Sequence, residues 1–259
     1  MSHTLKLWER VVENRLRQKV SIADNQFGFM PGKSTTDAIF AMRQLMEKYR
    51  ERRRELHMVF VDLEKAYDSV PRKVVWDCLR KREVPEKYVR IVQDMYSDCL
   101  TRVRSSAGDS KGFQVRVGVH QGSALSPFLF ATVMDVATES VRDLAPWSML
   151  FADDIVLCAE SKDAVASKLS SWMEALKAHG LKVNHGKTEY LPCLWGSEQR
   201  DADGLKIDEA MIKRVDKFRY LGLLLQCEGG VIEEVGARIQ AGWNSGGVWL
   251  EWCAIDTSL

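Results

Sequence analysis

The sequence has no two cysteines close enough together to suggest a zinc knuckle or a disulfide framework. Its six cysteines, at 78, 99, 158, 193, 227 and 253, are scattered, with no CxxC pair and no histidine at a short spacing. That pattern excludes structural zinc and a disulfide-stapled secreted domain, and favours a reducing compartment. Histidines 57, 120, 179 and 185 also share no metal-ligand spacing and are read as structural. No apolar run approaches the roughly 18 residues of a membrane span. The opening MSHTLKLWER carries charge where a signal peptide needs an apolar stretch, so a soluble, intracellular chain with no membrane partner is expected. Repeats and low-complexity tracts are absent, and a net charge of +1 neither favours nor excludes nucleic acid as a partner.

What is present is an ordinary globular composition, 46% hydrophobic and 28% charged over 259 residues, enough for one large domain or two smaller ones. The charge is unevenly spread: residues 1–60 hold 12 Lys and Arg against 7 Asp and Glu, while the rest of the chain is slightly acidic. The densest basic stretch is KYRERRRE at 48–55. It has two readings, a contact to a phosphate backbone, where each cation displaces condensed counterions, or a solvated helix end.

Leu5, Trp8, Val12 and Leu16 recur at helical spacing, as do Ile39, Met42, Leu45, Met46 and Tyr49 behind a capping box formed by Ser34 and Asp37. Between them QFGFMPGKST is loop chemistry. HMVFVD, 57–62, is a short buried strand that ends on Asp62. Pro71 and Pro85 each open a helix, the second with a stripe of Tyr88, Ile91, Val92, Met95 and Cys99. TRVRSS and GFQVRV form a hairpin around AGDSK. After the loop GVHQGSALSP, Ser126 and Pro127 start a helix predicted to run to Leu144, and Val165, Leu169, Trp172, Met173 and Leu176 define another that stops at Gly180. EYLPCLW, GLKI and FRYLGLLLQ look like strands, followed by a short helix near 231–243.

SMLFADDIVLCAE sets Asp153 and Asp154 between two apolar flanks of four to five residues, which suits a tight hairpin with the acids at its tip. Carboxylates in apolar surroundings stay ionised only beside cations or strong donors. If the strand ending at Asp62 lies alongside, three carboxylates meet at one sheet edge, and hard divalent cations such as Mg²⁺ would balance them. Two such ions can clamp an in-line phosphoryl displacement. A lone DD is weak evidence, since roughly one such pair arises by chance in a chain of this composition.

The ordered set carries more weight. QFGFMPGKSTTDAI, VFVDLEKAYDSV, GVHQGSALSPFLF, LFADDIVL, LKVNHGKTEYL and FRYLG, taken together, resemble the reverse transcriptase domain of non-long-terminal-repeat (LINE-like) retrotransposons. The resemblance implies an α+β right-hand polymerase fold: partial fingers over 1–56, a palm of antiparallel sheet backed by helices over 57–230, and the beginning of a thumb over 231–259. It implies RNA-directed DNA polymerase activity on an RNA template, a DNA primer and deoxynucleoside triphosphates, with Mg²⁺, or Mn²⁺ in its place. Asp62 and Asp153 would bind the ions with the carbonyl of Leu63, and Asp154 would assist. Tyr67 would act as the steric gate against ribose, Gln121 and Gly122 would lie against the nascent base pair, and Lys187 would supply charge or a proton to leaving pyrophosphate. Lys33 and Arg52 to Arg54 are candidates for template phosphates.

The resemblance starts inside the fingers and fades after GARIQAGWN, so a chain truncated at both ends is expected. Two other readings remain beside the polymerase. One is an inactive, nucleic-acid-binding relic of such a polymerase. The other is a different two-metal enzyme, such as a nuclease, which would need neither Tyr67 nor the HQGS loop. Copying onto chromosomal DNA implies a nuclear or cytoplasmic ribonucleoprotein, with Arg52 to Arg54 the one candidate import signal.

Overall fold

The segment LHMVFV is apolar at every position but His57, the pattern of a strand covered on both faces, and in the computed structural model all six residues are buried. The structure describes residues 3–97, 99–106, 108–195, 204–207 and 210–230. Two helices, α1 (His3–Arg17) and α2 (Thr35–Glu51), precede this strand, β1 (Leu56–Val61). Three helices follow it: α3 (Ala66–Ser69), α4 (Arg72–Lys81) and α5 (Glu86–Tyr96). Next come four two-residue strands, β2 (Leu100–Thr101), β3 (Arg104–Ser105), β4 (Gly108–Asp109) and β5 (Phe113–Gln114), then helix α6 (Ser126–Ala137). The second half holds β6 (Ser148–Phe151), β7 (Asp154–Ala159), α7 (Lys162–Ala178), β8 (Glu189–Cys193) and β9 (Leu205–Ile207). It closes with β10 (Ala210–Arg214), β11 (Lys217–Tyr220) and β12 (Leu223–Gln226).

One six-stranded sheet, ordered β6-β7-β1-β8-β10-β9, organises these elements. Every pairing in it is antiparallel except β8 with β10. Alternation along β1 divides the core. Val59 and Val61 join the side chains of α4, α5, α6 and α7, whereas Met58 and Phe60 join α2 and the β11–β12 hairpin. On the second face Phe60 stacks on Phe218 with ring centroids 3.9 Å apart. The fold is thus an α+β palm, with helices on one face and a helix plus a hairpin on the other.

Sequence patterns explain most of the helices. Ser34 and Asp37 cap α2 reciprocally, the Ser34 N–H donating to the Asp37 carboxylate at 2.8 Å. Pro71 and Pro85 precede α4 and α5 as read, but the buried centre of α5 is Val89, Val92 and Tyr96, with Tyr88, Ile91 and Met95 packed at its flank and Cys99 beyond its end. Helix α6 is mostly apolar and enclosed on all sides; it ends at Ala137, short of the predicted Leu144, where Thr138 bonds back to the Met134 carbonyl. The expected hairpin at 100–117 is present as two short ladders, β2–β5 and β3–β4. Strand β10 was not foreseen. The helix expected near 231–243 and the thumb start over 231–259 lie outside the described residues. No described helix is long and apolar enough to cross a membrane, and the five described cysteines are free thiols.

The α6 helix carries one buried acid. Asp135, 4% exposed, accepts from the Ala23 N–H at 3.0 Å and pairs with Arg82 at 2.5 Å and with Arg142. It ties the loop after α1 to α4 and to the segment after α6. Removing the acid would take the carboxylate from Arg142, one of its two carboxylates from Arg82, which keeps Glu139 at 2.9 Å, and the acceptor from one N–H, so Asp135→Ala is expected to cost about 3 kcal/mol in denaturant unfolding. A loss below about 1 kcal/mol would show that water replaces the carboxylate there.

Candidate active site

Register places the acids. In the antiparallel β1–β7 ladder Val61 faces Ile155, so one step further Asp62 stands opposite Asp154. The period of two puts Asp62 on the Phe60 side and Asp154 on the Val156 side, which is the same face. The β6–β7 turn has only two residues, because Phe151 pairs with Asp154. Its tip is therefore Ala152–Asp153, not the two aspartates, and Ala152 takes φ +60, a left-handed conformation that costs a non-glycine residue about 1–3 kcal/mol.

The segment carrying the lysine motif runs beside the end of β1. The Glu64 N–H donates to the Lys182 carbonyl and the Asn184 N–H to the Asp62 carbonyl, each at 2.8 Å. Both bonds flank the Leu63–Val183 bridge and leave the Leu63 carbonyl outside it. Thr188 accepts from the Asp62 N–H at 3.3 Å, and Asn184 caps its own turn by accepting from the Gly186 N–H at 3.1 Å. Lys187, exposed on that turn, lines one open cleft with Asp62, Asp154, Arg219 and Tyr220.

Tyr67 and the HQGS loop form the other side. Tyr67 is half-buried on α3 and stacks on Phe130 at 4.5 Å. Its carbonyl accepts from the Val119 N–H at 2.8 Å, and the Val70 carbonyl from the Gly118 N–H at 2.9 Å, which docks the loop on α3. Gln121 donates from Nε2 to both carboxylate oxygens of Asp68, at 2.8 and 3.0 Å. Gly122 has φ +76, and a Cβ built on it would meet nothing within 4 Å. Glu9 of α1, buried, accepts from the Ala124 N–H at 3.0 Å and anchors the loop from below.

Charge is left unbalanced at the hairpin. Burial raises the Asp153 carboxyl above its usual range, offset in part by its own backbone N–H and raised further by Asp62. Asp154 keeps an exposed edge, yet protein atoms packed around its carboxyl desolvate it, and with the charges of Asp153 and Asp62 push it up to about 6. No cation contributes to either shift. Tyr67 is raised by burial and then by Asp153, Tyr220 by burial and then by Asp154, so one phenol lies within the field of each acid. Neither buried hydroxyl has a hydrogen-bond partner among the described residues.

This donor set fits a divalent cation. The oxygens are hard, they are short of positive charge, and the site is open to a ligand. Among the described residues no three His, Cys, Asp or Glu side chains close into a cage; a Mg²⁺ site built from one or two carboxylates plus substrate phosphates does not need one.

Some of the cations expected to meet template phosphates also make contacts within the protein. Arg54 pairs with Glu160 at 2.6 Å, Arg50 donates to the Gly229 carbonyl at 3.0 Å, and Lys33 donates to the Asp24 carbonyl at 2.5 Å. Among the histidines, His57 bonds Tyr190 at 2.6 Å and His120 stacks on Tyr96 at 4.1 Å, as structural groups do. Gln26, Gly28, Asp68, Thr188 and Tyr220 were not singled out by the sequence. Only the two glycines of QFGFMPG hinted that this loop approaches another backbone.

A family model described as reverse transcriptase (RNA-dependent DNA polymerase) matches residues 1–225. The Pol polyprotein of the type-2 retrotransposable element R2DM of Drosophila melanogaster is 26% identical over 89% of this chain and 24% of its own length. A probable RNA-directed DNA polymerase from transposon BS of the same fly is 27% identical over 87% of this chain and 26% of its own. The chain thus spans about a quarter of the length of these curated relatives. Among solved structures, telomerase from Candida albicans superposes with a TM-score of 0.57 at 12% identity, covering 86% of this chain and 36% of that one. Apo telomerase from Candida tropicalis gives 0.58 at 16%, over 86% and 39%. At such identities these structures speak to the fold alone.

A carboxyl raised on folding favours the protonated native state, so its unfavourable contribution is absent below the unfolded value near 4 and complete above about 6. Measured in chelator, the melting temperature of Asp154→Asn minus that of the wild type is expected to grow as pH rises through this window and then level off. A difference that stays flat from pH 4 to 7 would show that Asp154 is not desolvated.

Proposed function

The chain belongs to the reverse transcriptase (RNA-dependent DNA polymerase) family, and on that premise we propose that it is the palm of a non-LTR retrotransposon polymerase that extends a DNA primer on an RNA template. One observation carries the reading: Asp62 and Asp154, each one residue beyond the Val61–Ile155 pair that ends the β1–β7 ladder, line one cleft with Lys187, and Asp153 lies in the adjoining turn.

In this reading Asp62 and Asp153 hold Mg²⁺, or Mn²⁺, with the Leu63 carbonyl, while Asp154 adds negative potential from the facing strand. Bound there, the ions would supply Lewis acidity to the attacking and leaving oxygens of an in-line displacement. The remaining work falls to side chains. Lys187, an exposed ammonium on a turn pinned to Asp62, offers charge to pyrophosphate as it leaves. The Tyr67 ring, fixed against Phe130, presents bulk where a sugar 2′-hydroxyl would stand and so rejects ribonucleotides. Gln121 and Gly122 border the base pair, glycine there leaving room for close approach. The RNA template, the DNA primer and the deoxynucleoside triphosphates are the partners this chemistry requires.

The test is a labelled DNA primer annealed to RNA, deoxynucleotides and Mg²⁺. Extension is expected, with Asp153→Asn and Asp62→Asn each reduced at least about 100-fold. A primer that shortens would point to a nuclease; RNA binding that weakens with salt, with no product and no effect of Asp153→Asn, would point to a binding relic. In the same assay Tyr67→Ala is expected to raise ribonucleotide use relative to deoxynucleotide by about tenfold or more, and an unchanged ratio would remove Tyr67 from the sugar site.

A further inference from the structure

The catalytic hairpin is strained at its tip, and something must hold it. The loop after α1, QFGF at 26–29, runs alongside the sheet's edge strand β6. The Phe27 N–H donates to the Leu150 carbonyl at 2.7 Å and the Leu150 N–H to the Asn25 carbonyl at 2.9 Å, with a parallel bridge between Gln26 and Leu150. The strap thereby covers the edge of the sheet next to the turn.

Gln26 is 3% exposed, and its Oε1 accepts two backbone N–H groups: Gly28 at 3.0 Å and Ala152 at 3.2 Å. Two donors converging on one side-chain atom require oxygen there, so the amide orientation is fixed by chemistry. The consequence is that Nε2 is buried with no partner among the described residues. An unmade bond of that kind is destabilising, whereas an apolar side chain of the same shape would remove it but leave the Gly28 and Ala152 N–H groups without their acceptor. What Gln26 stabilises is therefore local: the two backbone groups where the strap meets the turn. Gly28 is equally constrained: a Cβ there would sit 2.3 Å from the Ala152 nitrogen and 2.8 Å from the Phe151 carbonyl carbon, both rigid backbone.

We propose that Gln26 and Gly28 are positioning residues that clamp the Ala152 turn and so fix where Asp153 presents its carboxylate. The oxygen of Gln26 satisfies the N–H of the residue held at φ +60, immediately before Asp153. The absence of a side chain at Gly28 lets the strap lie directly on the turn. Displacing a reacting group by about 1 Å can cost on the order of 100-fold in rate, so a turn free to relax toward unstrained backbone would lose catalysis while leaving nucleotide contacts intact. The catalytic part of this inference rests on the polymerase reading; the clamp itself does not.

The experiment uses Gln26→Met in the 259-residue chain, a change of similar volume that removes the acceptor and the orphaned donor together; because it also leaves the Gly28 and Ala152 N–H groups unpaired, some loss of stability is expected, and exchange is read under conditions where the variant is folded. Amide exchange by NMR should be accelerated at Ala152 by about fivefold or more, with Leu157 in the middle of β7 unchanged. Gly28→Ala should speed exchange at Ala152 as well, through displacement instead of loss of the acceptor. In primer extension kcat of Gln26→Met should fall on the order of 100-fold with KM for deoxynucleotide within about twofold. Wild-type exchange at Ala152 in both variants would overturn the clamp. Equal acceleration at Leu157 would overturn it too, since the effect would then be general loosening of the sheet, and so would an unchanged kcat in a chain whose wild type extends primers. A wild type that extends nothing would refute the polymerase reading instead, and exchange at Ala152 would still decide the clamp.

Discussion

The register of β1 against β7 is the constraint on which the site depends. In a strand of period two, a slip of one residue would carry Asp62 to the face of α4, α6 and α7 and turn Phe60 away from Phe218. The slip is opposed from both sides, because Val59 and Val61 fill one core and Met58 and Phe60 the other. A second antiparallel partner, β8, reads the same register through Val59 opposite Tyr190. The positions of Asp62 and Asp154 are thus set by apolar packing further along their strands. The lysine turn inherits that position, being hydrogen-bonded to the backbone at Asp62.

Three acids elsewhere in the protein are matched, in contrast to those of the hairpin. Glu139 is held down to about 2 by Lys81 and Arg82, Asp37 is lowered by Ser34 at a helix start, and Asp135 sits between two arginines. Asp153 and Asp154 are raised instead, beside two phenols without hydrogen-bond partners among the described residues and a non-glycine residue in left-handed backbone. Left-handed backbone and unpartnered polar atoms occur elsewhere too, but here they coincide with raised carboxyls. Such clustering is expected where a site awaits a charged ligand, since each violation there would be relieved or used on binding.

Much of this was legible in the sequence, for physical reasons that can be named. Helical period and the Ser34 cap marked α2; uninterrupted apolar residues marked β1; two short apolar flanks marked the hairpin and brought its acids near Asp62. What escaped depends on contacts distant along the chain. Ala210–Arg214 pairs in parallel with β8 through only two positions and shows one buried residue, Ile212, so its strand character has little local trace. Gln26 reaches Ala152 across more than a hundred residues, and a single buried amide in a glycine-rich loop carries no period at all. The pairing of Arg54 with Glu160 had no local trace either, because nothing in KYRERRRE reveals that Glu160 lies beside it. The tip of the hairpin shifted by one residue for the same reason: turn length is set by which pair closes the ladder, Phe151 with Asp154, and not by where the charges sit.

The two glycine loops show how one residue type serves opposite needs around a single hairpin. Gly28 removes a side chain so that two backbones can touch, since a Cβ would overlap Ala152; Gly122 removes one where the space is empty, and takes a backbone angle other residues resist. The first closes structure onto the turn and the second keeps an approach clear. A site that stabilises developing charge works best when its donors and acids need not reorganise as the reaction proceeds. Rigidity supplied by the strap and access left by the HQGS loop are therefore complementary conditions. Close packing alone would leave no room for substrate, and open space alone would let a strained turn relax.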